Sequence, residues 1–128
     1  NCIVTVDCDV LQADGGTRTA AITGGYIALA RAVRRMISEG LVEKDPIRTA
    51  VAAISVGYVG GELLMDLDFA EDSRADVDMN VVMDGESNII EVQGTAEKKP
   101  FSKEQLDSMV GLAQDGIREL MVIQKKYI

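Results

Sequence analysis

The sequence predicts an α+β fold, and three observations carry that expectation. A β-patterned segment leads into a long helix at the front of the chain, two hairpin signals follow one another in the middle, and a capped amphipathic helix closes it. The order strand, helix, four strands, helix describes sheets covered by helices. The chain has 128 residues, 47% of them hydrophobic, which is room for one ordinary domain or two small ones around a buried core.

Each element has its own signature. Residues 2–10 place Ile3, Thr5, Asp7 and Asp9 on one side and Cys2, Val4, Val6, Cys8 and Val10 on the other, the period of a strand with one apolar face. Gln12 to Thr17 is turn chemistry. A helix is expected from about Thr17 to Glu39, because Ile22, Tyr26, Leu29, Val33 and Ile37 recur at helical spacing and Gly40 offers a stop. The polar stretch Val42–Ile47, with Pro46, reads as a linker or subdomain boundary. Ala50–Val59 and Glu62–Asp68 are expected strands joined at Gly60-Gly61, whose residues tolerate the positive φ of a tight hairpin. Asp78–Met83 and Asn88–Thr95 form a second pair around Asp84-Gly85-Glu86-Ser87, with the acidic connection Ala70–Val77 between the pairs. In the last helix Ser102 is the N-cap, Gln105 its capping-box partner and Phe101 a staple onto Leu106. Leu106, Met109, Val110, Ala113, Ile117, Leu120 and Met121 then make one apolar stripe.

Composition excludes several classes. The chain contains no His, which removes His-ligated zinc, and its formal net charge of -8 disfavours a strongly basic binding surface. No apolar run approaches the ~20 residues of a membrane span, and the first residues lack a signal-peptide pattern. The expectation is a protein of the cytoplasm that engages no membrane. Cys2 and Cys8, six residues apart in one strand, would stand about 20 Å apart and so be free thiols. The chain has no initiator Met and its first strand has no neighbours in the sequence; a fragment, or one piece of a divided chain, is expected.

Two constellations carry chemistry. Asp14-Gly15-Gly16-Thr17-Arg18-Thr19 lies between a strand and a helix N-terminus, where backbone N–H groups, the helix dipole, the Thr17 hydroxyl and the Arg18 guanidinium converge. Phosphate is the natural ligand there, and an ordinary helix capped by Asp14 or Thr17 is the other open reading. The pattern is neither a Walker loop nor G-x-G-x-x-G. The second constellation is Glu71 to Asn80, within a stretch, residues 62–97, whose only basic side chain is Arg74. Mg²⁺ or Mn²⁺ takes such oxygen ligands; a solvated acidic loop is the plainer alternative. The spacing does not make a calcium loop of EF-hand type. Arg31, Arg34 and Arg35 oppose the negative end of the first helix.

Leu11-Gln12-Ala13-Asp14-Gly15-Gly16-Thr17-Arg18-Thr19-Ala20, the preceding Val6-Asp7-Cys8-Asp9-Val10, Glu71-Asp72-Ser73 with Asp78-Met79-Asn80-Val81-Val82, and Ile90-Glu91-Val92-Gln93-Gly94-Thr95-Ala96-Glu97 together resemble bacterial ribonuclease PH. The resemblance runs from residue 1 to the last helix. It implies the end of a ribosomal-protein-S5-domain-2-like domain, strand plus helix over 1–46, followed over 47–128 by a ribonuclease PH C-terminal subdomain of four strands and a helix. It also implies a phosphorolytic 3′→5′ exoribonuclease that trims the 3′ end of tRNA precursors with inorganic phosphate and releases nucleoside diphosphates. On that resemblance the phosphate site maps to Gly16, Thr17 and Arg18, and the catalytic, metal-associated aspartates to Asp72 and Asp78, with Mg²⁺ or Mn²⁺ as cofactor. The implied partners are RNA, inorganic phosphate, and either further copies in a hexameric ring or a complementing N-terminal half. The departure is one of extent, since members of that family are longer at the N-terminus. Two other functions compete: a non-catalytic ring subunit of exosome type, against which the presence of both Asp72 and Asp78 argues, and an inactive anion-binding scaffold fragment.

Overall fold

A computed structural model describes residues 3–128. Its elements are α1 (Thr17–Ser38), β1 (Val51–Val59), β2 (Glu62–Met65), α2 (Phe69–Asp72), β3 (Val77–Asp84), β4 (Ile89–Ala96) and α3 (Lys103–Gln124). The strands form one antiparallel sheet in the order β2-β1-β3-β4, which together with the helices is the α+β arrangement expected.

Period two sorts the sheet into two faces. Ala52, Ile54 and Val56 of β1 and Val77, Met79, Val81 and Met83 of β3 meet Met109, Ala113, Ile117 and Met121 of α3, and this is the hydrophobic core. Leu106, Val110, Leu120 and Phe101 pack against it half-buried, so the stripe read from the sequence is the face that α3 uses. Ser102 and Gln105 form the predicted capping box. Gly116 lets the helix approach closely, because a Cβ there would overlap Met65 Sδ and Ile54 Cδ1. Gly60 and Gly61 both take positive φ, 60° and 89°, the backbone of a two-residue hairpin turn.

The opposite face carries Ala53, Ser55, Asn80, Asp78 and Val82, with Ser55 opposite Asn80 and Gly57 opposite Asp78 in the ladder. The N-terminal part of α1 lies beside it. The buried residues of α1 are Thr19, Ala30 and Val33. Apolar periodicity alone singles out Ile22, Tyr26 and Leu29, which instead line an open groove together with Val6 and Cys8. At its far end α1 stops in a Schellman motif: Leu41 N–H donates to Met36 O and Gly40 N–H to Ile37 O, with Gly40 at φ 71°.

Three expectations are corrected. The segment 3–10 is not a strand of the sheet: a strand is defined by its ladder, and the described ladders join β1, β2, β3 and β4 alone. Its apolar side is turned to α1 all the same, with Val6 against Gly25 and the Cys8 thiol, free and exposed, donating to Ala21 O. Cys2 lies outside the described residues. The second strand ends at Met65 and does not reach Asp68, because Asp66 turns into positive φ, 58°, and its N–H donates to Ser55 O. The acidic connection contains the one-turn helix α2, closed by a capping box in which Asp68 accepts from Glu71 N–H and Glu71 accepts from Asp68 N–H. Lys98 donates to Arg74 O and pairs with Asp76, so it ties the end of β4 to that connection. No helix among the described residues is long and apolar enough to cross a membrane.

The core makes one thermodynamic prediction. Met109 is fully buried at the centre of the α3 contact, and truncating it removes both transfer free energy and packing. Met109→Ala should lower unfolding free energy by about 2–5 kcal/mol in a urea titration.

Candidate functional site

The glycine turn before α1 has a local cause. Gly15 and Gly16 both take positive φ, 78° and 55°, and Gly16, in the left-handed region, is the N-cap residue with no side-chain cap. The expected alternative of a helix capped by Asp14 or Thr17 is therefore overturned. Thr19 turns its hydroxyl back to Gly16 O at 2.9 Å. Asp14 is used elsewhere, accepting from Phe69 N–H at 3.3 Å at the start of α2. The first turn of α1 contains no acidic residue, so no carboxylate of the helix itself occupies its N–H groups.

The aspartate segment is held against this turn. A Cβ on Gly15 would stand 2.5 Å from Leu67 O and 3.0 Å from Asp68 C, so only glycine permits the contact. Ser55 fixes the other side: its carbonyl accepts from Asp66 N–H at 2.7 Å and its hydroxyl oxygen from Leu67 N–H at 3.1 Å. Asp72, at the end of α2, and Asp78, on β3 opposite Gly57, are thereby brought to the N-terminus of α1.

The outcome is a cavity of about 140 Å³ lined by Gly16, Thr17 and Arg18 on one side and by Asp72, Asp78, Ser55, Asn80 and Leu67 on the other. All five residues singled out in the sequence border it. Asp72 and Asp78 also line a second, larger recess of about 460 Å³ with Ser73, Ala75, Glu97 and Lys98. Asp78 is a half-buried strand residue, on the strand expected from Asp78 to Met83. Its carboxyl is held above the ordinary carboxylate range by burial first, then by the negative charges of Asp72 and Glu97. Two hard oxygen donors close enough to feel each other's charge suit Mg²⁺ or Mn²⁺, which keeps several waters and needs few protein ligands. Among the described residues no group of three or more such side chains forms a metal cage.

Several residues of the site have no sequence signal of their own. Glu91, on β4, takes the Arg18 guanidinium: Nη2 lies 2.7 Å from one carboxylate oxygen and 2.9 Å from the other. That partnership raises the already high pKa of Arg18. Ser55 and Asn80 join through sheet register, which apolar alternation does not reveal, and Glu97 follows the end of β4, its N–H donating to Asp76 O.

Residues 49–116 match the 3′ exoribonuclease family, domain 2. The chain is 56% identical over 125 residues to the ribonuclease PH of Moorella thermoacetica, covering 98% of this chain and 50% of that protein. It is 55% identical over 122 residues to the ribonuclease PH of Neisseria meningitidis serogroup C, covering 95% and 50%. The chain thus spans about half the length of the curated relatives it matches. A crystal structure of rice (Oryza sativa) Rrp46 shares the fold, with TM-score 0.72 at 19% identity over 90% of this chain and 49% of that one.

Two predictions follow from the geometry. Gly15→Ala should push the turn away from Leu67 and Asp68, lowering the melting temperature and separating the two walls of the cavity; unchanged amide chemical shifts at Leu67–Phe69 would contradict this. The second concerns Asp78. Its folded pKa is raised, so the folded state holds the proton more tightly than the unfolded one, and stability falls as pH rises from the ordinary carboxylate value through the raised one. At neutral pH the ionised group opposes folding. Asp78→Asn should therefore raise the melting temperature by a few degrees at pH 7 in metal-free buffer, with the gain vanishing below about pH 4.

Proposed function

Because the chain belongs to the 3′ exoribonuclease family, whose domain 2 it carries, we propose that it supplies the phosphate turn and the aspartate pair of a phosphorolytic 3′→5′ exoribonuclease. In this reading it trims the 3′ ends of tRNA precursors in the cytoplasm, consumes inorganic phosphate and releases nucleoside diphosphates. The observation that carries the reading is the single cavity between the uncapped start of α1, with Arg18, and the carboxylates Asp72 and Asp78.

The chemistry follows from the two walls. Inorganic phosphate sits on the N–H groups of the first turn of α1, held by the Thr17 hydroxyl and the Arg18 guanidinium. One of its oxygens attacks the phosphorus of the terminal phosphodiester. The P–O3′ bond breaks, the terminal nucleotide leaves as a nucleoside diphosphate, and the shortened RNA keeps a 3′-hydroxyl. The departing 3′-oxygen takes up a proton from one carboxyl of the pair in its protonated form. Asp72 and Asp78 would hold Mg²⁺ or Mn²⁺, which when bound offsets negative charge that builds on the reacting phosphates.

The acidic balance of the chain, -8, opposes an RNA backbone by itself. RNA is therefore engaged in an assembly, either a homo-oligomeric ring or a complex with a complementing N-terminal half, that adds basic surface.

The experiment is a phosphate-dependent release of nucleoside diphosphates from a tRNA with a 3′ extension, using the chain alone and the reassembled protein. The reassembled protein should be active and the chain alone inactive. In the active form Asp72→Asn and Asp78→Asn should each abolish turnover, and Arg18→Ala should weaken phosphate binding by about tenfold or more in calorimetry. Near-parental turnover in either aspartate variant contradicts the assignment, and inactivity after verified reassembly favours a non-catalytic ring subunit.

A further inference from the structure

Arg18 borders the cavity, whereas Glu91, its partner, does not. Glu91 stands on β4 opposite Val82, at the register shift between Val82 and Met83, a type of irregularity that re-aims strand side chains. Both of its oxygens take Nη2 of the guanidinium, which leaves the N–H groups of Nη1 and Nε to other acceptors. Arg18 and Glu91 are about half exposed, at 48% and 41% of their side-chain surface. A free arginine at such a position samples many rotamers, and an anion that needs one of them bears the ordering cost at binding.

We propose that Glu91 is a positioning residue: fixed on β4, it draws Arg18 Nη2 from outside the cavity and holds the guanidinium where an anion on the first turn of α1 meets its remaining N–H groups. This rests on the reading of Gly16, Thr17 and Arg18 as a phosphate site. On this account a strand more than seventy residues away in sequence prepares the site in advance, and the negative charge of Glu91 is kept away from the phosphate by the arginine between them. An exposed pair contributes little to fold stability, so removing it should show in binding and not in melting.

The test titrates inorganic phosphate into the intact protein by calorimetry and measures phosphate dependence of turnover in the active assembly. Glu91→Ala should raise the phosphate Kd and KM by about three- to fivefold, with kcat at saturating phosphate and the melting temperature unchanged. Glu91→Gln keeps an oxygen acceptor for Nη2 and should recover most of the loss. In an Arg18→Ala background, Glu91→Ala should add nothing. Tighter or unaltered phosphate binding in Glu91→Ala, with Arg18→Ala weakened as expected, overturns the positioning role alone, and tighter binding would make Glu91 a competitor for the arginine. Unaltered binding in Arg18→Ala itself overturns the phosphate site and the proposal together.

Discussion

The edge of β1 that β2 leaves unpaired is the constraint on which the rest of the structure depends. Strand β2 accompanies β1 only from Val56 to Val59, and backbone groups buried without partners would each oppose folding. They are satisfied in sequence by other parts of the chain. Gln124, almost wholly buried at the end of α3, donates to Val51 O and to Thr23 O. Thr23 on α1 accepts from Ala53 N–H and donates to Ala53 O. Ser55 takes Asp66 and Leu67. One strand edge thereby fastens α3, α1 and the approach to α2 in turn.

The site inherits its geometry from that edge. Thr23 sets where α1 lies, and so where Gly16 and Arg18 begin; Ser55 sets where the chain leaves β2, and so where Asp72 arrives. Gly15 closes the gap, since its missing Cβ allows the turn to touch Leu67 and Asp68. Asp78 needs none of these and follows from ladder register with Gly57. The two walls of the cavity are thus held by hydrogen bonds to the same strand, which limits their relative movement.

Charge is distributed with the same economy. Asp14 serves the start of α2, Asp68 and Glu71 cap it, Asp84 accepts from Glu86, Asn88 and the Asn88 amide to hold the second hairpin, and Asp76 meets Lys98. The Asp84 carboxyl is accordingly held below its ordinary range, chiefly by the Asn88 side chain. Asp78 is the exception, pushed upward by burial and by like charge. It faces the uncapped N-terminus of α1 across the cavity.

Local signals were enough for the helices and hairpins. The Ser102–Gln105 box, the Gly60-Gly61 turn, the Gly40 stop and the α3 stripe each depend on residues a few positions apart, and all are read correctly from the sequence. The box at Asp68 and Glu71 was equally local, its Asp-x-x-Glu spacing being an N-terminus signature that the acidic composition around it obscured. Residues 14–18 and the aspartate pair were visible as two separate clusters of suitable chemistry. Their union in one cavity was decided only by the tertiary structure, because it depends on hydrogen bonds across 12 to 101 residues of sequence that no local period encodes. The same holds for Glu91, which meets Arg18 across 73 residues, and for the first segment, where alternation specifies a face but pairing requires a neighbour. A sequence determines its own turns, caps and stripes, since these are satisfied within a few bonds; which distant groups satisfy one another is settled only when burial presses polar groups to find partners.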